Sequence, residues 1–167
     1  MARILLYIGG ARSGKSRLAE AATLAFGQPA TYIATAEAHD AEMAARIAHH
    51  QAQRGPEWHT LAAPRDLLAA LRASEGSARL VDCLTLWLTN LMLSDQDWRA
   101  AADEMLALVR AQSSPVVFVS NETGMGIVPE NALARRFRDA QGWLNQTVAA
   151  AADEVHFTAA GLSLRMK

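Results

Sequence analysis

Eight consecutive residues, Gly9-Gly10-Ala11-Arg12-Ser13-Gly14-Lys15-Ser16, fit the pattern G-x-x-x-x-G-K-[ST] at every fixed position. The spacing has a chemical reason. Glycines let successive backbone N–H groups turn inward around phosphate oxygens, the lysine reaches the β and γ phosphates, and the hydroxyl of Ser16 can ligate Mg²⁺. A helix beginning at the lysine would aim its N-terminus at the same anion. The chain has only two lysines, Lys15 and Lys167, so one of two is committed to this loop. The pattern predicts a nucleotide-using enzyme.

Three further segments carry groups able to do chemistry. Asp82 ends the apolar run Arg79 to Cys83. Beside a phosphate loop such an acid holds Mg²⁺, directly or through water; the other reading is a cap for the helix that starts at Leu84. His49 and His50 close a helical pattern that begins near Asp40. Helical spacing puts Met43, Ile47 and His50 on one face, and Glu42, Arg46, His49 and Gln53 on another, polar face. His49 is therefore the candidate for chemistry and His50 for packing, since a neutral imidazole can attack phosphorus and form a covalent intermediate. A solvated face without a role is the other reading. Lastly, Gly124 and Gly126 follow the run Val116 to Ser120, which suggests special dihedrals or a close backbone approach at a strand end. The bland alternative is a surface loop followed by a charged helix face.

The elements that position these groups follow from periodicity. Strands are predicted at 3–8, 30–34, 58–61, 79–83, 116–120 and 154–158, with a last edge strand at 162–166. Helices are predicted at 16–26, at 40–54, from Pro64 to near 74, at 84–93, 97–112 and 130–152. This alternation implies an α/β fold, a mainly parallel sheet with helices on both faces, in a single domain spanning 1–167. The bulk composition agrees: hydrophobic residues make up 51% and charged residues 20%, which is globular rather than disordered. A net charge of −1 without a basic stripe argues against nucleic acid as a partner. Cys83 is the single cysteine and excludes an internal disulfide, no apolar run approaches the roughly 20 residues of a membrane span, and residues 3–8 run straight into the glycine loop rather than into a signal peptide. A cytoplasmic enzyme is expected.

Together the segments resemble one family, the bifunctional adenosylcobinamide kinase / adenosylcobinamide-phosphate guanylyltransferases of cobalamin biosynthesis. The resemblance rests on the phosphate loop, Tyr32-Ile-Ala-Thr35, the segment from Asp40 to His50, Thr89-Asn-Leu91, Ser120-Asn-Glu122, Gly124-Met-Gly-Ile-Val-Pro-Glu-Asn131, Phe137-Arg-Asp139 and Asn145-Gln146. It implies a RecA-like P-loop fold and two reactions: phosphorylation of adenosylcobinamide by ATP or GTP, then transfer of GMP from GTP to adenosylcobinamide phosphate. It implies that His49, the first histidine of the pair, becomes guanylylated. It also implies nucleotide contacts at Ile33, Ala34 and Thr35, at His50, Gln51, Ala52 and Gln53, and at Asp82, and a homo-oligomer, a trimer in the family. One departure stands out: family members often carry a glutamate after the tryptophan, where this chain has Ala62 and Ala63.

Two rivals make different demands. A plain small-molecule kinase would share the phosphate loop and lack the covalent histidine. A regulatory GTP switch would need Asn-Lys-x-Asp, which the positions of the two lysines exclude. For the oligomer, the apolar segment Leu84 to Leu93 is either a buried contact between copies or part of the core.

Overall fold

The computed structural model describes residues 1–38, 41–52 and 54–167; the side chains at 42, 43, 46, 49 and 50 lie outside that description. In chain order the elements are β1 (Ile4–Gly9), α1 (Lys15–Leu24), β2 (Ala30–Ala34), α2 (Ala41–Ala52), β3 (Trp58–Ala62), α3 (Leu67–Ala73) and β4 (Arg79–Asp82). They continue with α4 (Leu84–Leu93), α5 (Trp98–Ala111), β5 (Val116–Asn121), α6 (Ala132–Ala151), β6 (Glu154–Ala159) and β7 (Leu162–Arg165). The seven strands form one sheet in the order β3-β2-β4-β5-β1-β6-β7. Neighbours are parallel except β7, which runs antiparallel to β6 at the edge.

Both faces of the central strands β1, β2, β4 and β5 are buried, which is why these strands read as continuous apolar runs rather than alternating ones. Consecutive side chains point to opposite faces. Leu5, Tyr7, Tyr32, Leu80, Val117 and Val119 pack with Ala19 of α1 on one side. Leu6, Ile33, Val81 and Phe118 pack on the other with α3 to α6, through Leu71, Trp87, Leu88, Met105 and Leu144. This is the expected α/β P-loop architecture, and among the described residues no helix is long and apolar enough to cross a membrane.

One expectation is corrected, and one open alternative is decided. The helix expected from Pro64 starts at Leu67. The ladder runs on through Ala63, whose N–H donates to the Ala34 carbonyl at 2.8 Å, so the cap falls to Asp66, which accepts from the Ala69 N–H at 2.9 Å. The apolar helix α4 is core: Leu84, Trp87, Leu88 and Leu91 are buried, and of its large apolar side chains only Leu93, at the last turn, is exposed. It has no apolar face left over for a second copy.

Candidate functional site

The carboxyl ends of the parallel strands gather the loops along one edge of the sheet. Gly9 pairs with Asn121, and Ala34 with Asp82; because Asp82 pairs with Val119, the β2 and β4 ends stop two residues short of the β1 and β5 ends. The phosphate-loop residues form the turn from β1 into α1. Gly14 adopts φ +93° and caps α1 without a side-chain acceptor, and no acidic residue occupies the helix's first turn. The first amides of α1 are thus left for an anion. Lys15 is buried, and its ammonium donates to the Gly10 carbonyl at 3.0 Å. Burial lowers its pKa from the ordinary lysine value, while Cys83 and Asp82 act in the opposite direction. Lys15 and Asp82 therefore feel one another, although two strand spacings separate β4 from β1, roughly 10 Å.

Gly9 is required by close packing: a Cβ there would stand 2.4 Å from the Thr158 carbonyl and 2.7 Å from Ser13 Oγ. Gly10 faces open space. Arg12 takes φ +56°, as a tight turn demands, and its side chain is exposed along with Ala11. Ser13 is buried and Ser16 half-buried.

Asp82 does not cap α4; Cys83 is the N-cap residue and makes no side-chain bond there. The partner of Asp82 is Tyr32, whose hydroxyl donates to Asp82 Oδ2. Burial, with Asp82 second, pushes the Tyr32 phenol well above its ordinary range. Burial and the same aspartate raise the pKa of Glu20 on α1. The Arg54 guanidinium lies 3.7 Å from the Tyr32 ring centroid. A carboxylate, a phenol, a second carboxylate and a guanidinium thus cluster between α1 and the ends of β2 and β4.

The other sequence-predicted contacts divide. Ile33 is fully buried in the core. Thr35 is equally buried and pins two strand ends: its hydroxyl donates to the Cys83 carbonyl and accepts from the Cys83 N–H, each at 2.7 Å. Ala34 is half-buried between them. On α2, Ile47 is half-buried whereas Ala44, Ala45, Ala48, Gln51 and Ala52 are exposed. The side chains of His49 and His50, and all of Asp40 and Gln53, lie outside the described residues. Ala62 and Ala63 line a cavity of about 500 Å³ at the ends of β2 and β3, together with Glu37, Leu61, Pro64, Arg65 and Asp66. Glu37 accepts from the Arg65 guanidinium at 3.0 Å.

The loop after β5 differs from expectation at its glycines. Neither Gly124 nor Gly126 is among the glycines of positive φ. Gly124 instead meets the carboxylate of Glu122, which accepts from its N–H; a Cβ would lie 3.0 Å from that oxygen. The loop is joined to the phosphate loop through the Glu122 N–H, 3.0 Å from the Gly9 carbonyl.

These arrangements have counterparts in known proteins. A family model described as cobinamide kinase / cobinamide phosphate guanyltransferase matches residues 5–166. The chain belongs to this family. Among curated relatives of the cobinamide kinase / guanyltransferase family, it is 49% identical to the bifunctional adenosylcobalamin biosynthesis protein CobP of Pseudomonas aeruginosa, over 97% of this chain and 96% of that one. It is 44% identical to the bifunctional adenosylcobalamin biosynthesis protein CobU of Salmonella typhimurium, over 98% and 99% of the two chains. The CobU of Escherichia coli is 40% identical, over the same shares. A solved VirB11 ATPase of Brucella suis is similar at a TM-score of 0.43 and 13% identity, over 93% of this chain and 43% of that one.

In this cobinamide kinase / guanyltransferase family member the residues missed by sequence reasoning are supporting ones. Gln141 donates to Ser120 Oγ at 2.9 Å and to Asn145 Oδ1 at 3.0 Å, and Asn145 donates to the Asn121 carbonyl at 3.0 Å. This buried amide network fixes the end of β5. Its signal was a pair of amides four residues apart on a helix, Gln141 and Asn145, which an apolar helix face would not carry.

Proposed function

We propose that the chain carries out two successive reactions on a corrinoid. A nucleoside triphosphate, ATP or GTP, phosphorylates the aminopropanol hydroxyl of adenosylcobinamide. GTP then donates GMP to that phosphate, giving adenosylcobinamide-GDP and pyrophosphate. The observation that carries this reading is the family match over nearly the whole chain, in a molecule whose phosphate-loop pattern is complete.

In the kinase half, the loop amides of residues 9–16 and Lys15 stabilise charge on the transferring γ-phosphoryl group. The desolvated Lys15 is suited to this, because its charge acts at low dielectric. Ser16, in the first turn of α1, and Asp82, at the end of β4, are hard oxygen donors, and a single carboxylate with a hydroxyl fits Mg²⁺, which keeps most of its waters. The ion supplies charge neutralisation to the triphosphate when bound. Asp82 is aimed by the Tyr32 hydroxyl.

In the guanylyl half, the neutral imidazole of His49 attacks the α-phosphorus of GTP. An N–P bond forms, the bond to the bridging oxygen breaks, and pyrophosphate leaves with that oxygen. A phosphate oxygen of adenosylcobinamide phosphate then attacks the same phosphorus, and the N–P bond breaks to restore His49. Nucleotide contacts are assigned, as in the family resemblance, to Ile33, Ala34 and Thr35, to residues 50–53 and to Asp82. The chain works in the cytoplasm as a homo-oligomer, a trimer by family resemblance.

The deciding experiment is intact mass after incubation with GTP and Mg²⁺. One added GMP on the protein is expected. Absence of an adduct, with kinase turnover intact, would reduce the reading to a phosphotransferase alone.

A further inference from the structure

The C-terminal hairpin touches the phosphate loop backbone to backbone. Its turn places Ala160 at φ +52° and Gly161 at φ +76°. The Gly161 N–H donates to the Ser13 carbonyl at 2.8 Å, and the Gly161 carbonyl accepts from the Arg17 guanidinium at 3.3 Å. The approach is close enough that a Cβ on Gly14 would stand 2.9 Å from Gly161 Cα. One turn earlier, a Cβ on Gly9 would stand 2.4 Å from the Thr158 carbonyl on β6. The hairpin therefore backs the loop at both ends.

The consequence follows from peptide planarity. In a trans peptide the C=O and N–H of one unit point in opposite directions. A Ser13 carbonyl drawn toward the hairpin turns the Gly14 N–H away from it, toward the cradle in front of α1. We propose that Gly161 is a positioning residue: its N–H holds the Ser13–Gly14 peptide so that the Gly14 amide faces the bound phosphates. The positive φ of Gly161 is what aims that N–H, and a Cβ there would meet only Arg17, at 3.9 Å. Space does not demand glycine at 161; backbone conformation does. The inference rests on the phosphate-loop reading of residues 9–16.

The test uses the full chain, inorganic tripolyphosphate as probe, and calorimetric titration. Gly161→Pro removes the N–H and fixes φ near −65°, and it is expected to weaken tripolyphosphate by about tenfold or more, the worth of a hydrogen bond to a charged acceptor. Gly161→Asn keeps the N–H and tolerates positive φ, and it is expected to restore affinity to within about threefold. A hairpin that is only a structural edge would lower the melting temperature and leave the affinity of the folded protein unchanged. A folded Gly161→Pro that binds like the unsubstituted chain, or a Gly161→Asn as weak as the proline variant, overturns the proposal. Failure of the unsubstituted chain to bind tripolyphosphate overturns the phosphate-loop reading instead. Should Gly161→Pro not fold, amide exchange in the unsubstituted chain decides. Because coupling is reciprocal, tripolyphosphate is expected to slow exchange at Gly161. The Ala2 amide, bonded to the Gln112 carbonyl at 2.8 Å, is the reference. Equal effects at both sites count against the proposal.

Discussion

At the scale of single residues, the groups closest to the chemistry are those whose burial alters their charge. Lys15→Ala is expected to lower adenosylcobinamide phosphorylation by about 10²–10³-fold or more, the usual loss when one preorganised charge is removed. Circular dichroism should show the fold retained. Near-normal turnover would contradict the role of the loop. Glu37, paired with the Arg65 guanidinium, is the carboxylate of the cavity beside Ala62 and Ala63 that is not engaged as a helix cap, as Asp66 is. A carboxylate can accept from both N1–H and the 2-amino group of guanine, and adenine offers no such pair. Glu37→Gln is therefore expected to cut the preference for GTP over ATP by about tenfold, read from competition in GMP labelling. Burial pushes the Cys83 thiol up to about 11 from its ordinary 9.0, with Asp82 adding to the rise. The folded chain thus holds this proton more tightly than the unfolded one. The stabilisation is complete below about pH 9 and falls as pH rises toward 11. Denaturation at stepped pH should show that decline, and Cys83→Ala should remove the part of it that begins near pH 9. Lys15 and Ser16 were legible because the motif spaces them within eight residues. The bond from Tyr32 to Asp82 was not, because 50 residues of chain lie between them and only sheet order brings β2 beside β4.

At the scale of elements, one buried cation ties three together. Arg79, fully buried at the start of β4, donates to the Leu71 carbonyl at the end of α3, to the Gln112 side chain after α5 and to the Ser114 carbonyl. Arg79→Met would take this donor from the Gln112 side chain and the Ser114 carbonyl and leave the Leu71 carbonyl with Gln112 Nε2 alone, and a loss of about 3 kcal/mol or more is expected in urea denaturation. Sequence reasoning read Arg79 only as the first residue of a strand; a charge opening an apolar run was the overlooked signal. Element types were otherwise legible, since buried parallel strands read as apolar runs and the helices carry their own punctuation. Boundaries failed where hydrogen bonding outranked local propensity, as at Ala63 and Asp66. The α2 helix carries the sharpest chemical prediction. Peptide mapping should find GMP on His49, and His49→Ala should abolish labelling while His50→Ala still labels. Labelling should fall as pH drops through the ordinary imidazole range, about 6.5, because attack requires the neutral ring. An adduct on His50 or Lys15 would overturn the assignment.

At the scale of the whole molecule, the exposed apolar surface lies away from α4, in keeping with the reading of Leu84 to Leu93 as core. Leu162 and Leu164, 76% and 68% exposed, alternate along β7 and so share one side of the edge strand, and Met166 just beyond it is 64% exposed. Met125, Ile127 and Val128 are exposed on the loop after β5. An 18.0 kDa chain with such surface is expected to associate. Light scattering at micromolar concentration should give a multiple of that mass, and Leu164→Asp should reduce it. A monomer with full activity would count against an oligomeric enzyme. The location of this surface was illegible in the sequence because Leu84 to Leu93 is the more apolar segment, and only packing reveals that it is enclosed.

The strand order also has a consequence for how the enzyme is made. β1 is made before both of its neighbours, β5 and β6, which begin at Val116 and Glu154. The phosphate loop at its end, anchored to Glu122 on one flank and to the hairpin of β6 and β7 on the other, cannot be assembled in the nascent chain until that hairpin has been made. Capture of nucleotide should thus wait on the hairpin. A chain released before the final hairpin should hold most of its helices and no triphosphate.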